Sequence, residues 1–271
     1  MAHPHSARSS TGEHSVSGEK LSLLAVFAHP EDESFGPAGT LAKYASEGVD
    51  VSLAMATREA TPSAIELKSW QAGEVALPSR DRMCSCRASG VRRVCVLDSR
   101  PGELAKLDPE MIEGQLVRLI REIQPQVIIT FGPEGLLSRD GDHAIINRAV
   151  TRAFRDAGSA SKFEQHFHEG LGIYAPHKLY YCVLPRSVIS TWGVKDLPGV
   201  PDERVTTILD VSSYSEAMTK ALYCQRHHII DSIRWLTSER QLQWDAEYYT
   251  LVESRLNKKP RHERDLFAGL R

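Results

Sequence analysis

Apolar runs alternate with amphipathic stretches along most of the chain. Leu21–Ala28 is a continuous apolar run of strand length, and Gly36–Glu47 has apolar residues at helical spacing. Gly48 is placed to end this predicted helix, and the next apolar run, Val49–Ala56, predicts a second strand. The order of strand, helix and strand predicts a βαβ unit with two parallel strands.

The same alternation continues downstream. Further strands are predicted at Arg93–Leu97, Gln126–Phe131 and Lys178–Leu184. Further helices are predicted at Arg80–Ser89, Pro109–Ile123 and Ala144–Ala157, and mainly helical patterns at Ser212–Asp231 and Ser238–Leu256. The chain is therefore predicted to have a Rossmann-like α/β fold, with a mostly parallel sheet, helices on both faces and a helical C-terminal region.

The first twenty residues differ from the rest of the chain. Met1–Lys20 is rich in Ser, His and Gly and has no apolar periodicity, which predicts a disordered extension. The remainder, residues 21–271, has the length expected of one large domain, and 41% hydrophobic with 25% charged residues is ordinary for a globular protein. A single domain with a full core is expected.

Charge and cysteine content exclude several classes of protein. With a formal net charge of −2, the chain lacks the excess of positive charge that binding to a polyanion requires, so nucleic acid is not an expected partner. The longest apolar runs are too short to span a bilayer, and no signal-peptide core precedes them, so a cytoplasmic protein is expected. The five cysteines are scattered without CxxC pairs, which predicts neither a disulfide framework nor a cysteine zinc finger. Cys84 and Cys86 are interpreted as small residues on a buried helix face.

Polar groups that can bind a metal follow two of the predicted strands. His29-Pro30-Glu31-Asp32-Glu33 comes directly after the first strand, and the segment Phe131–His143 comes after the fourth. In doubly wound sheets the ligand site lies beyond the carboxyl ends of the strands, so the two segments should face each other. His29, Asp32 and His143 would then form a set of two imidazoles and one carboxylate, the composition of a catalytic zinc site.

Each of these groups also has an ordinary explanation. Carboxylates before a helix complement its dipole, and a single histidine before a helix is more often a capping or surface residue. Iron or another divalent ion would suit the same three ligands as well as zinc does.

Several motifs, in the same order along the chain, resemble those of one known family. Ala28–Glu33 reads AHPEDE and matches an AHPDDE motif at five of six positions. The other similar segments are Ala56–Glu59, Val96–Asp98, Phe131–Pro133, Asp142–His143 and Lys178–Tyr181. With these motifs the chain resembles the GlcNAc-phosphatidylinositol de-N-acetylase family, also called PIG-L or LmbE-like.

The resemblance implies a zinc-dependent N-deacetylase, a hydrolase that removes an acetyl or other acyl group from the nitrogen of an amino sugar or its conjugate. It implies that His29, Asp32 and His143 bind the metal and that Glu31 occupies the position of the general base. The family has aspartate there, and the extra methylene of glutamate moves the carboxylate by about 1 Å, a displacement that can cost roughly 10²-fold in rate.

A second departure lies at Asp140, where the family has a histidine that stabilises the oxyanion or protonates the leaving amine. An ionised carboxylate would oppose an oxyanion. Three explanations are open: Asp140 is protonated, Arg139 or His177 is the donor instead, or the protein is a poor deacetylase. Asp142 is expected to orient the ring of His143.

Arg58 and Arg80 are candidates for binding a substrate hydroxyl or phosphate, although solvated arginine is an equal alternative. The family resemblance also suggests a homo-oligomer. The alternative function is a catalytically weakened family member that binds a sugar-like ligand or a partner without hydrolysis. A nucleotide-binding Rossmann protein is disfavoured because the first turn has no GxGxxG and presents carboxylates where phosphate requires backbone amides.

Overall fold

The structure, a computed structural model, describes residues 20–58, 80–137, 139–193, 196–225, 245–256 and 262–271. The strands are β1 (Ser22–Phe27), β2 (Asp50–Thr57), β3 (Arg93–Ser99), β4 (Val127–Phe131), β5 (Lys178–Val183), β6 (Thr207–Asp210) and β7 (Ala246–Ser254). The helices are α1 (Asp32–Phe35), α2 (Ala38–Ser46), α3 (Arg80–Ala88), α4 (Pro109–Ile123), α5 (Gly141–Asp156), α6 (Gln165–His168), α7 (Arg186–Trp192) and α8 (Ser215–Cys224).

The seven strands form one sheet in the order β3-β2-β1-β4-β5-β7-β6. The first five strands in this order are parallel, and β7 is antiparallel to both β5 and β6. The strand order reverses between β1 and β4, so the ligand site of such a sheet is expected beyond the carboxyl ends of these two strands. The predicted α/β fold with a mostly parallel sheet is confirmed.

Both faces of the sheet are covered, as the continuous apolar character of β1 predicts. Leu23, Ala25 and Phe27 belong to the hydrophobic core on one face, together with residues of α2 and α8. Leu24 and Val26 belong to the core on the other face, with residues of α4 and α5. This division follows from the two-residue period of a strand.

Local sequence explains where α4 begins and ends. Asp108 caps the amino terminus, its side chain accepting a hydrogen bond from the backbone N–H of Glu110, and Pro109 occupies the first helical position. Gln124, with φ of 53°, adopts the left-handed conformation that ends the helix. The predicted bounds of this helix are confirmed.

The prediction of a mainly helical C-terminal third is only partly correct. Residues 215–224 form α8, but residues 246–254 form β7, which pairs with two strands at once. Tyr248, Tyr249 and Val252 are residues with high strand propensity, and the segment pairs with the backbone of β5 on the side away from β4. The predicted extension, apart from Lys20, lies outside the described residues.

The interpretation of the cysteines also requires correction. Cys84 in α3 is disulfide-bonded to Cys224 in α8, across a sequence separation of 140 residues. Cys86 is buried, as expected of a small residue on a buried helix face. The absence of a CxxC pair therefore did not exclude a disulfide, because partners far apart in sequence leave no spacing pattern.

Candidate metal centre

The segments that follow β1, β2 and β4 meet at the carboxyl edge of the sheet. The segment after β1 is folded back on itself by Asp32, whose Oδ2 accepts the backbone N–H of His29 at 2.8 Å and that of Ala28 at 3.1 Å. These bonds place a buried carboxylate beside the imidazole of His29. The spacing of three residues between the two groups is what allows one tight turn to bring them together.

The ring of His29 is bounded on both sides by oxygen atoms. Its Nδ1 is 3.0 Å from the hydroxyl of Thr57, and its Nε2 is 3.4 Å from Oδ2 of Asp140. The ring centroid lies 5.2 Å from that of His143. The two histidines that the sequence placed in distant segments are therefore neighbours.

His143 lies in the first turn of α5 and faces Asp32. Its Nε2 is 3.1 Å from Oδ1 and 3.2 Å from Oδ2 of that carboxylate, and the ring packs edge-on against Phe131. Burial alone would lower the pKa of His143, but the contact with Asp32 and the charges of Asp140 and Glu31 raise it above its usual value. The potential around His143 is therefore negative.

Asp140 caps the amino terminus of α5. Its Oδ1 accepts the backbone N–H of Asp142 at 2.6 Å. Burial opposes its ionisation, but this hydrogen bond and the nearby imidazoles of His29 and His143 hold the pKa of Asp140 below its usual value. A protonated Asp140, one of the three explanations for this residue, is thus disfavoured.

Asp142 links the site to the segment after β3. Its Oδ2 accepts the backbone N–H of Gly102 at 2.6 Å, and the side chain is buried. Ligand atoms from His29, Asp140 and Asp142 lie within 4.8 Å of one another. Asp142 thus lies in the same cluster as His29. The neighbouring His143 has a buried Nδ1 without a hydrogen-bond partner in the described part of the chain.

The other residues that the sequence predicted for the site lie at different distances from it. Glu31 precedes α1 at the site and is half-buried. Arg58 is half-buried at the carboxyl end of β2, where its backbone N–H donates to the carbonyl of Ser99. Arg80 is the first residue of α3, and its side chain lies outside what the structure describes.

The expectation that His177 lies near the site is wrong. His177 precedes β5, and its backbone N–H donates to the carbonyl of Gln126, just before β4. Both residues are at the amino ends of their strands, whereas the site is at the carboxyl ends. His177 is therefore excluded as a replacement donor by the length of the sheet.

Sequence reasoning missed a second layer of buried polar groups behind the site. Glu33 is fully buried, and its Oε1 accepts hydrogen bonds from the hydroxyls of Ser34 and Ser85. Desolvation by burial raises the pKa of Glu33 to about 7, although the serine hydroxyls lower it. The amide of Gln225 in turn lies 3.2 Å from the hydroxyl of Ser85 and 3.4 Å from the carbonyl of Pro30. No spacing rule could reveal this layer, since it joins three distant segments.

The residues present fit a divalent metal ion. Two imidazoles and several carboxylates converge at this site. The charge of the carboxylates raises the pKa of the buried His143, which means that it stabilises a positive charge there. The same charge would stabilise a bound cation. Nitrogen and carboxylate oxygen ligands suit zinc, iron and other divalent ions. The cluster can therefore hold a metal and place it against a carboxylate base.

Comparison with known proteins gives a consistent result. The model of the family described as "PIG-L: GlcNAc-PI de-N-acetylase" matches residues 24–154. A 1D-myo-inositol 2-acetamido-2-deoxy-alpha-D-glucopyranoside deacetylase of Streptomyces scabiei is 29% identical to this chain, and the alignment covers 93% of this chain and 92% of the relative. A mycothiol S-conjugate amidase of Streptomyces coelicolor is 28% identical, with 93% and 98% covered.

Among solved structures, the N,N'-diacetylchitobiose deacetylase of Pyrococcus horikoshii superimposes with a TM-score of 0.63 at 18% identity. The superposition covers 85% of this chain and 83% of the other. At this identity the likeness concerns the fold. In the part of the chain that the structure describes, none of the helices has the length and apolar character needed to cross a membrane.

Proposed function

We propose that this chain, whose residues 24–154 match the GlcNAc-PI de-N-acetylase family model, is a metal-dependent hydrolase that removes an acetyl group from the nitrogen of an amino sugar conjugate. The observation that carries the proposal is the meeting of His29, Asp32 and His143 at the point where the strand order reverses. This is where a doubly wound sheet binds its ligand.

Nε2 of His29, the carboxylate of Asp32 and Nε2 of His143 are the groups proposed to hold the metal, with zinc as the first choice. Bound zinc would polarise the amide carbonyl and lower the pKa of a water molecule towards about 7. Asp140 is ionised, so its proposed role is to add negative charge on the metal side of the site and not to stabilise an oxyanion.

Glu31 is proposed as the general base. Its carboxylate accepts a proton from the attacking water, holds it, and donates it to the amide nitrogen as the C–N bond breaks. General acid–base catalysis of this kind contributes roughly 10²–10⁴-fold in rate. The glutamate reaches further than the aspartate of the AHPDDE motif, so substrate position must adapt by about 1 Å.

The proposed substrate is a 2-acetamido-2-deoxy sugar linked to another ring. Two relatives that align over most of their length are named as deacetylases of an inositol-linked acetamido sugar. We extend that substrate class to this chain. Arg58, at the carboxyl end of β2, is proposed to contact a hydroxyl of the substrate. Cytoplasmic location and homo-oligomerisation stay predictions.

The first experiment combines metal analysis with an amine assay. Wild type and His29→Ala are purified side by side, metal per chain is measured by elemental analysis, and release of free amine is followed with fluorescamine on a panel of N-acetylglucosamine conjugates. We expect about one metal per wild-type chain, lost in the variant, and amine release that a chelator abolishes. Absence of bound metal from the wild type would overturn the site assignment.

Glu31→Gln and Glu31→Asp test the base. Glutamine should lower kcat by roughly 10²–10⁴-fold while metal content is retained, because only the proton acceptor is removed. Aspartate restores the residue of the AHPDDE motif and should retain at least wild-type activity. Equal activity of wild type and Glu31→Gln would reject Glu31 as the base.

A weakened, non-hydrolytic family member is the second candidate, and the ionised Asp140 favours it. This candidate predicts a bound metal in wild type and no amine release from any conjugate in the panel. Asp140→His would then be expected to create or raise activity, since it restores the histidine of the family motif.

A further inference from the structure

We propose that Thr57 is a positioning residue that fixes the proton of His29 on Nδ1, so that the lone pair of Nε2 is directed into the site. The consequence for metal binding rests on the proposed function, but the proton position itself does not.

The hydroxyl of Thr57 contacts two groups, and their chemistry decides its orientation. Its Oγ1 is 2.9 Å from the carbonyl oxygen of Ala28 and 3.0 Å from Nδ1 of His29. A hydroxyl has one hydrogen to donate, and a carbonyl oxygen can only accept. Two oxygens at 2.9 Å repel each other unless a hydrogen lies between them, so the hydroxyl donates to Ala28 and its lone pair faces the imidazole.

The other nitrogen of His29 has the longer contact. Nε2 lies 3.4 Å from the carboxylate of Asp140, which is beyond the usual 2.7–3.2 Å of a good N–H···O hydrogen bond. A hydrogen on Nε2 would therefore be held weakly, whereas a hydrogen on Nδ1 has the Thr57 hydroxyl at 3.0 Å. The contact of Nε2 with Asp140 therefore competes with that of Nδ1 with Thr57, and the shorter Thr57 contact assigns the proton to Nδ1.

Strand pairing delivers the hydroxyl to this position. Met55 of β2 lies opposite Phe27 of β1, and the backbone N–H of Thr57 donates to the carbonyl of Ala28 at 2.8 Å. Thr57 is fully buried, and the branched Cβ limits its side chain to few rotamers. The hydroxyl is thus held by the sheet and not by the segment that carries the histidine.

The two histidines differ in this respect. Nε2 of His143 contacts Asp32, and its Nδ1 has no hydrogen-bond partner among the described residues. Outer partners that orient a metal-binding histidine typically change metal affinity by 10–100-fold when removed. We therefore assign the orientation of His29 to Thr57, with no equivalent effect on His143.

The test uses Thr57→Val, which keeps the shape and removes the hydroxyl, and Thr57→Ser, which keeps the hydroxyl. The metal-free full chain is labelled with ¹⁵N-histidine, and His29→Ala identifies the His29 signals. In wild type and Thr57→Ser, NMR should place the proton of the neutral ring on Nδ1. In Thr57→Val the ring should become a mixture of both tautomers, with the His143 signals unchanged.

Zinc affinity, measured by competition with a chromophoric chelator, is the second readout. Thr57→Val should bind zinc 10–100-fold more weakly than wild type, and Thr57→Ser within a few-fold of it. A wild-type ring protonated on Nε2 would overturn the proposal, even if Thr57→Val does not fold. Unchanged tautomer and affinity in Thr57→Val would overturn it too. If the wild type binds no zinc but carries the proton on Nδ1, the proposed function fails while the role of Thr57 stands.

Discussion

Two buried polar clusters lie at opposite ends of the same sheet. The amino-end cluster consists of Lys178, Tyr180 and Glu263. The carboxyl-end cluster consists of His29, Asp32, Asp140, Asp142 and His143. Apart from the exposed Asp140, the members of both clusters are buried or half-buried, but the charges of the two clusters are arranged differently.

In the amino-end cluster every donor is matched. The ammonium of Lys178 donates to Glu263 at 2.5 Å, to the carbonyl of Ala268 at 2.8 Å and to the hydroxyl of Tyr180 at 3.0 Å. These are the three hydrogen bonds that an ammonium can make. One positive charge meets one negative charge, so the cluster joins the C-terminal segment to β5 and needs no further partner.

The carboxyl-end cluster is unbalanced. Three carboxylates surround two imidazoles, and the charges of Asp32, Asp140 and Glu31 raise the pKa of His143. One buried nitrogen of that ring has no partner within the described residues. The comparison indicates that buried charge balanced within the chain serves the fold, whereas unbalanced buried charge serves a ligand that comes from outside.

The largest effect on stability is expected at the amino-end cluster. Lys178→Met leaves the charge of Glu263 buried without a partner, which should lower the free energy of unfolding by about 3–5 kcal/mol. Urea denaturation measures this change. The matched control, Lys178→Met with Glu263→Gln, removes both charges and should recover most of the loss. A loss below about 1 kcal/mol in the single variant would contradict the assignment of this pair to the fold.

The second largest loss of stability is expected when the disulfide is reduced. Cys84 and Cys224 close a loop of 140 residues, so breaking the bond should lower the free energy of unfolding by about 2–5 kcal/mol. Denaturation with and without reductant measures the effect, and Cys84→Ser with Cys224→Ser is the control that reductant should leave unchanged. The neighbouring residues Ser85 and Gln225 contact the layer behind the site, so hydrogen exchange should rise there and not around Lys178. Equal stability in both conditions would count against the bond.

Glu247 is a third buried group to set beside the two clusters. Its carboxyl group has backbone N–H groups as hydrogen-bond donors, where Glu263 has the ammonium of Lys178. It accepts the backbone N–H groups of Gly39 and Thr40 at the start of α2, and burial raises its pKa to about 7. The native state therefore holds a proton that the unfolded state has lost between about pH 4.5 and 7.

The stabilising contribution of Glu247 is full below about pH 4.5 and is lost as the pH rises towards 7, with a slope of up to about 1.4 kcal/mol per unit. Denaturation at several pH values should give this slope for wild type and a flatter one for Glu247→Gln. Tyr249, which contacts the carboxyl group, has a pKa well above this range and does not contribute. Identical slopes in the two proteins would exclude Glu247 as the source.

The smallest effect on stability is expected at the carboxyl-end cluster. Asp140→Asn keeps the helix cap and removes one charge, so the metal-free chain should unfold within about 0.5 kcal/mol of wild type. Its metal affinity should fall, because one negative charge is lost beside His29. Asp140→Ala is the comparison, since it also loses the cap and should cost about 1 kcal/mol. A large destabilisation by Asp140→Asn would show that the carboxyl-end cluster stabilises the fold, contrary to this assignment.

Much of the fold could be predicted because local signals and tertiary structure agree. The apolar run of β1 and the cap of α4 at Asp108 are examples. The failure at residues 246–254 has a physical cause, since strand pairing with β5 and β6 decides their conformation. The disulfide between Cys84 and Cys224 was equally invisible, because it depends on how α3 and α8 pack.

The candidate site divides in the same way. His29 and Asp32 lie in one turn, and His143 follows a strand that neighbours β1, so sequence order was enough to bring them together. Thr57 was missed because its contact depends on the register between two strands. His177 was misplaced because it precedes its strand, and only the strand direction separates the two ends of the sheet.

The pairing of β1 with β2 has a consequence for how this protein can change over time. Because successive residues of a strand face opposite sides, gain or loss of one residue in β2 would move the Thr57 hydroxyl to the other face of the sheet. Exchange of Val51 or Leu53 for another apolar residue leaves the register intact. β2 should therefore tolerate substitution of its core residues far better than any change in its length.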